Sequence, residues 1–132
     1  MIILDTSFIV SYYNLADDNH NGALEIMNKI LKENLNVCIS DFIFSECATV
    51  LLAKLKDLNK VVEICEKIKK IDIIRVDENL FEETWDIFKK QEKAKLSFID
   101  CSIIALSKLK EIEKVATFDQ ELMKIKEIDI LQ

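Results

Sequence analysis

Hydrophobic and polar positions alternate along this chain in two different periods, and each change of period marks an element boundary. Ile2 to Leu4 form a short apolar run, which predicts a buried strand, and a helical pattern follows through Thr6 to Tyr13. The stretch ADDNHNGALEIMNKILKEN predicts a second helix, with Asp18 or Asn19 as its cap and Ala23, Ile26, Met27, Ile30 and Leu31 on one face. NVCIS is a short strand, after which Ser40 caps a helix carrying Phe42, Ile43, Val50 and Ala53. Asn59 to Lys70 is a further helix, IDIIRV a strand, and Asp77 or Glu78 begins a long helix with Phe81, Trp85 and Phe88 on one stripe. Ser97 caps a helix that runs to Leu109. KVATF is a strand, Gln120 to Lys126 a short helix and IDILQ a last strand. Strands alternating with helices predict an α/β sandwich around a mainly parallel sheet. The Phe81, Trp85 and Phe88 stripe predicts core packing, with a dimer interface as the alternative.

Length and composition narrow the class. The 132 residues suit one domain, and half of them are hydrophobic while 32% are charged, the balance of a soluble globular protein. With no proline and one glycine, the connections are expected to be short. No apolar run reaches the roughly 20 residues of a membrane span. The N-terminus lacks the basic region and cleavage pattern of a secretory signal, so the expected location is cytoplasmic. Cys38, Cys47, Cys65 and Cys101 are then expected as reduced, buried small hydrophobes, and no C-x-x-C spacing suggests structural zinc. The net charge of −6 argues against a broad basic face for nucleic acid, and Arg75 is the only arginine, so phosphate contacts fall to lysines.

Two apolar strands end in the same way: the first delivers Asp5 and KVATF delivers Asp119. In one parallel sheet both emerge at the carboxyl edge, where open α/β sheets bind ligands. Two more acids reach that edge through helices. On the helical wheel Glu46 has Phe42, Ile43, Val50 and Ala53 as neighbours, in the middle of the apolar face, and Asp100 has Leu96, Ile103 and Ile104. Each acid also has a plain structural role open to it. Asp119 can cap the next helix, Asp100 lies three residues after Ser97 as in a capping box, Asp5 can start a helix, and Glu46 can reach solvent. Together they are harder to explain, since two carboxylates about 4 Å apart repel by roughly 4 kcal/mol at an effective dielectric near 20. The pattern places no cation to neutralise them. An all-oxygen set selects a hard ion such as Mg²⁺ or Mn²⁺.

MIILDTS, SDFIFSECATVLLAK, LSFIDCSIIALSK and VATFDQEL occur in this order across nearly the whole chain. In these pieces the sequence resembles the PIN-domain ribonucleases, most of all the short VapC-type toxins of toxin–antitoxin systems. The resemblance implies a three-layer α/β sandwich with a central sheet of about five strands. It also implies an acidic pocket for Mg²⁺ or Mn²⁺, with Asp5, Glu46, Asp100 and Asp119 as catalytic acids. Ser7 and Thr117 match polar positions beside the first and last acids, and Ser97 a less constant one. On this reading Asp5, Asp100 and Asp119 hold the metal, Glu46 orients water or holds a second ion, and Ser7 and Thr117 fix the carboxylates. The tail DQELMKI lacks the His or Phe often found there in the family, which bears on substrate preference.

The implied partners are RNA, a co-expressed antitoxin and a second copy of the chain. Lys89, Lys90, Lys93 and Lys95, just ahead of Asp100, read either as a solvated helix end or as a phosphate rail. A basic residue of the antitoxin is expected to enter the negative pocket, with apolar contacts on Tyr12, Tyr13 and Leu15. His20, at a helix start, is expected on the surface or as a cap. A HAD-type phosphatase wants D-x-D where Asp5 is followed by Thr6 and Ser7, and a receiver domain wants a lysine near the late strand that ends here in Asp119. An RNA-maturation nuclease and a non-catalytic PIN-like binding module stand as the alternative functions.

Overall fold

A computed structural model of the chain describes residues 1–110 and 112–132. Its elements run β1 (Ile2–Leu4), α1 (Thr6–Tyr13), α2 (His20–Lys32), β2 (Val37–Ser40), α3 (Asp41–Leu55), α4 (Leu58–Ile68), β3 (Asp72–Ile74), α5 (Glu78–Lys89), α6 (Phe98–Leu109), β4 (Lys114–Ala116) and α7 (Gln120–Met123). The strands form one parallel sheet in the order β3-β2-β1-β4, with Ile3 opposite both Cys38 and Val115. The fold is therefore the expected α/β layer structure, a parallel sheet flanked by helices. The expected fifth strand, IDILQ, is reduced among the described residues to one parallel bridge between Val115 and Ile130. Two hydrogen bonds hold it, from Val115 N to the Asp129 carbonyl and from Leu131 N to the Val115 carbonyl.

Parallel strands covered on both faces are apolar throughout, and Ile2, Ile3 and Leu4 are all buried. The chain runs outward from β1 through β2 to β3 and then returns to β4 beside β1, and the right-handed rule for parallel crossovers puts the first helices on one face and the later ones on the other. The packing pairs agree with this: α1 with α2 and α3, α3 with α4, and α5 with α6. The direction of winding reverses between β1 and β4, which opens a crevice at their carboxyl ends. Having no glycine at these turns, the chain uses Asn34 and Lys56 at φ 52° and 54°; Lys56 ends α3 in the left-handed conformation that glycine usually takes.

Several expected faces are rotated. On α5 the inward residues are Leu80 and Thr84, whose hydroxyl donates to the Leu80 carbonyl at 2.7 Å. Phe81, Trp85 and Phe88, one position further round, are 45%, 45% and 36% exposed. The stripe is thus a surface feature and not core, because the helix turns its Leu80 and Thr84 side inward. Its rings join Phe98 of α6 and Phe42 of α3: Phe98 lies 5.5 Å from Phe81, 5.7 Å from Phe88 and 6.1 Å from Phe42. On α3 the buried line is Ile43, Cys47 and Leu51, while Ala53 is exposed. Glu46 is therefore beside the buried stripe and half-buried, not in its middle. On α2, Ala23 and Ile30 are buried but Leu31 faces solvent. Asn19 is the α2 N-cap, yet its side chain makes no cap bond.

All four cysteines are buried and free. Burial pushes the thiols of Cys38 and Cys101 up to about 11 and that of Cys47 up to about 12, so they pack as neutral hydrophobes. No helix among the described residues is long and apolar enough to cross a membrane.

Candidate active site

Asp5 directly follows β1, and its amide continues the sheet by donating to the Ala116 carbonyl at 3.0 Å. It occupies the N-cap position of α1 but makes no side-chain cap bond. Its carboxylate turns instead to two hydroxyls. Ser7 Oγ donates to Asp5 Oδ2 at 2.8 Å and Thr117 Oγ1 donates to the same oxygen at 2.7 Å. With their protons spent on Asp5, both hydroxyls accept from main chain: Ser7 Oγ from Phe118 N at 2.9 Å, Thr117 Oγ1 from Asp119 N at 3.0 Å. Ser7 and Thr117 thereby couple the ends of β1 and β4 and orient the first acid.

Asp100 and Asp119 take the capping roles open to them. Asp100 Oδ2 accepts from Ser97 N at 2.9 Å while Ser97 Oγ accepts from Asp100 N at 3.0 Å, a complete capping box. Asp119 Oδ1 accepts from Glu121 N and Leu122 N. The bonds just described engage Oδ2 of Asp5, Oδ2 of Asp100 and Oδ1 of Asp119. Capping and ligand binding are compatible, since the other oxygen can face a ligand.

A cavity of about 460 Å³ lies between these residues, lined by Asp5, Ser7, Glu46, Ser97, Asp100 and Asp119 among others. Every acid singled out in the sequence is on its wall. Asp5 and Asp100 are 4% and 9% exposed, with no cation paired to either among the described residues. Burial raises the Asp5 carboxyl above its ordinary value; the Thr117 and Ser7 hydroxyls and the Thr6 amide oppose this, and the Glu46 charge adds to it. Asp100 is raised first by burial and then by the charges of Asp119 and Asp5, against the Ser97 bonds. The carboxylates feel one another, yet no three acidic, histidine or cysteine side chains among the described residues draw together into a closed metal cluster. They surround a space.

Other residues of the wall escaped the sequence reading. Lys54 lines the cavity, eight residues after Glu46 and on the same side of α3, a spacing that was there to be read. Asp17 also lines it, and its Oδ1 accepts from Ser11 Oγ at 3.0 Å and Asn19 N at 2.8 Å, which shapes the loop before α2. Gln91 braces the approach to Ser97: its Oε1 accepts from Leu96 N at 2.9 Å and its Nε2 donates to the Leu96 carbonyl. The lysines ahead of Asp100 lie outside the cavity wall. Lys89 and Lys90 pair with Asp86 at 3.8 and 2.9 Å, and Lys95 is 4.0 Å from Glu121. Lys93 and Lys95 line a separate hollow with Gln91, Leu96 and Glu121. His20 Nδ1 donates to the Ser11 carbonyl at 2.9 Å, a structural role.

The PIN domain model matches residues 2–128, almost the entire chain. The chain belongs to the PIN domain family. No curated protein sequence matches it. Among solved structures, this PIN domain is similar to VapC20 of Mycobacterium tuberculosis, described as a sarcin-ricin loop cleaving toxin. The two share 20% identity over all of both chains, with a TM-score of 0.84. It is also similar to a chain of a toxin-antitoxin complex from Klebsiella pneumoniae, at 15% identity, 100% and 98% coverage and TM-score 0.68. VapBC2 of Rickettsia felis, solved with a DNA fragment from its promoter, matches at 18% identity, 98% and 97% coverage and TM-score 0.68. At these identities the structural likeness speaks for a shared fold over the full length.

Proposed function

We propose that this PIN domain is a metal-dependent endoribonuclease that hydrolyses RNA phosphodiesters and serves as the toxin of a toxin–antitoxin pair. The observation that carries the reading is the cavity at the β1/β4 reversal, walled by Asp5, Glu46, Asp100 and Asp119. The toxins among its structural relatives support the biological half.

The donor set fits a hard divalent ion, because the acids of the wall offer oxygen and the buried Asp5 and Asp100 have no ion-paired cation among the described residues. Bound Mg²⁺ or Mn²⁺ would supply an acidified water and neutralise charge gathering on the phosphate. Asp5, Asp100 and Asp119 would hold the ion. Ser7 and Thr117 keep the Asp5 carboxylate from rotating. The Ser97 capping box does the same for Asp100. Glu46 shares the cavity wall and has no hydrogen bond among the described residues, which suits it to orient the attacking water and accept its proton or to hold a second ion.

Two partner surfaces accompany this reading. A groove over α1, α2 and α4 has Tyr12, Tyr13, Leu15, Leu24 and Ile64 in its wall with Lys60, Glu63 and Lys67 of α4 beside them, and supports an antitoxin segment with apolar contacts there. A basic residue from that segment would reach the acids and compete with the metal. The exposed aromatic face of Phe81, Trp85 and Phe88 supports a homodimer.

The test is cleavage of RNA by the purified chain with Mn²⁺ or Mg²⁺, with excess EDTA, and with Asp5→Asn. Cleavage should need the metal and be lost in the variant. Activity that persists in EDTA removes the metal from the mechanism. RNA binding without any cleavage favours a non-catalytic module.

A further inference from the structure

Among the residues on the wall of the acidic cavity, Lys54 is the one cationic side chain. A polyanion approaching this protein meets a chain of net charge −6 and a cavity ringed by carboxylates. Something on the wall must favour its entry. The lysines nearest in sequence to Asp100 are partly engaged elsewhere, Lys89 and Lys90 by Asp86 and Lys95 by Glu121. Lys54 makes no ion pair within 4.0 Å among the described residues.

Its position says what it can reach. Glu46, Val50 and Lys54 all line the cavity at intervals of four residues, so they form one line along α3. At 1.5 Å per residue, Lys54 is about 12 Å from Glu46 along the helix axis. That is too far for the backbone position to serve the phosphate being cut. It suits a phosphate of a neighbouring nucleotide, with Val50 between as an apolar floor. The exposed head on a flexible stem can meet that phosphate as a point charge.

Resting on the ribonuclease reading above, we infer that Lys54 is a positioning residue that grips a flanking phosphate and lays the RNA strand along α3 towards the acids. The grip contributes to substrate binding and leaves the chemical step to the carboxylates.

The experiment compares the wild-type chain with Lys54→Gln, Lys54→Arg and the remote control Lys69→Gln, whose lysine pairs with Glu66 on α4. Binding of a fluorescent single-stranded RNA is measured in EDTA across a salt series, and KM and kcat in Mn²⁺. Lys54→Gln should raise Kd and KM several-fold, leave kcat nearly unchanged, and reduce the slope of log K against log salt by about 0.7, one phosphate on a single strand. Lys54→Arg should recover most of the binding, and Lys69→Gln should match wild type. If the wild type cuts RNA but Lys54→Gln keeps its KM and salt slope, the inference falls alone. A loss in kcat at unchanged KM overturns it too, by moving Lys54 into the chemistry. Absence of both cleavage and binding in the wild type removes the ribonuclease reading, and this inference with it.

Discussion

Thr117 Oγ1 donates a 2.7 Å hydrogen bond to Asp5 Oδ2, joining residues 112 positions apart at the carboxyl ends of adjacent strands. The same hydroxyl accepts from the Asp119 amide at 3.0 Å. One side chain therefore sets the first acid and the loop of the last. Thr117→Val removes both bonds and leaves a partly buried amide without its partner. It should cost about 1–3 kcal/mol in denaturant unfolding. RNA cleavage should drop while RNA affinity holds, and Thr117→Ser should recover both stability and rate.

Asp5 is buried with no ion-paired cation among the described residues, so its charge opposes folding when no metal is bound. Asp5→Asn keeps an acceptor oxygen for Ser7 and Thr117 and removes the charge. Without metal at pH 7 the variant should be more stable than wild type by urea unfolding, and inactive on RNA. A variant less stable than wild type would show that the Asp5 charge is already compensated in the fold.

The pH dependence follows from the two raised carboxyls. Asp5 and Asp100 are both held above their ordinary value, mainly by burial. The native state then keeps protons that the unfolded chain has lost, so stability falls as pH rises from the usual carboxylate range through the raised values. Their contribution is most favourable below that window and is lost above it. Unfolding in EDTA from pH 4 to 7 should show this decline, smaller in Asp5→Asn. Saturating Mn²⁺ at pH 7 should raise Tm, since an ion that binds only the native state stabilises it by mass action.

Trp85 is the only tryptophan and is 45% exposed. If two copies pair through the face it shares with Phe88, its emission should shift to the blue as concentration rises. Trp85→Glu should sediment as a monomer under conditions where the wild type is a dimer. A wild type that sediments as a monomer at all concentrations assigns the aromatic face to something else.

Gly22, the only glycine, is inside α2, and a Cβ there would meet the Phe118 ring at 3.5 Å, ordinary contact. Gly22→Ala should stabilise by roughly 0.5–1 kcal/mol through helix propensity. A destabilised variant would show that Phe118 cannot accept even that contact.

The local pattern by itself determined much of this protein. Strand–helix alternation and apolar runs such as Ile2 to Leu4 were enough for a parallel α/β sheet, because strands buried on both faces have no polar side to show. The place of Asp5 and Asp119 was legible too: each comes at the end of an apolar run, and parallel strands bring both to one edge, where they line one cavity. The Ser97 and Asp100 capping box is likewise a matter of neighbours three residues apart. What one element presents to another was not legible. The α5 stripe of Phe81, Trp85 and Phe88 has core spacing, but the helix turns Leu80 and Thr84 inward, about 100° away, and leaves the rings outside. Glu46 was placed in the apolar face of α3, and the fold turned it to the side of the Ile43, Cys47 and Leu51 line, onto the cavity wall. IDILQ has strand composition, yet among the described residues only one bridge forms at that edge, since pairing needs a partner in register over several residues. Lys54, eight residues after Glu46, and the Asp86 pairs of Lys89 and Lys90 at i+3 and i+4 follow helical spacing, but spacing alone does not say that Lys54 shares a cavity with the acids. Sequence pattern fixes which residues want burial; the helix against which each face packs is decided only when the whole core closes.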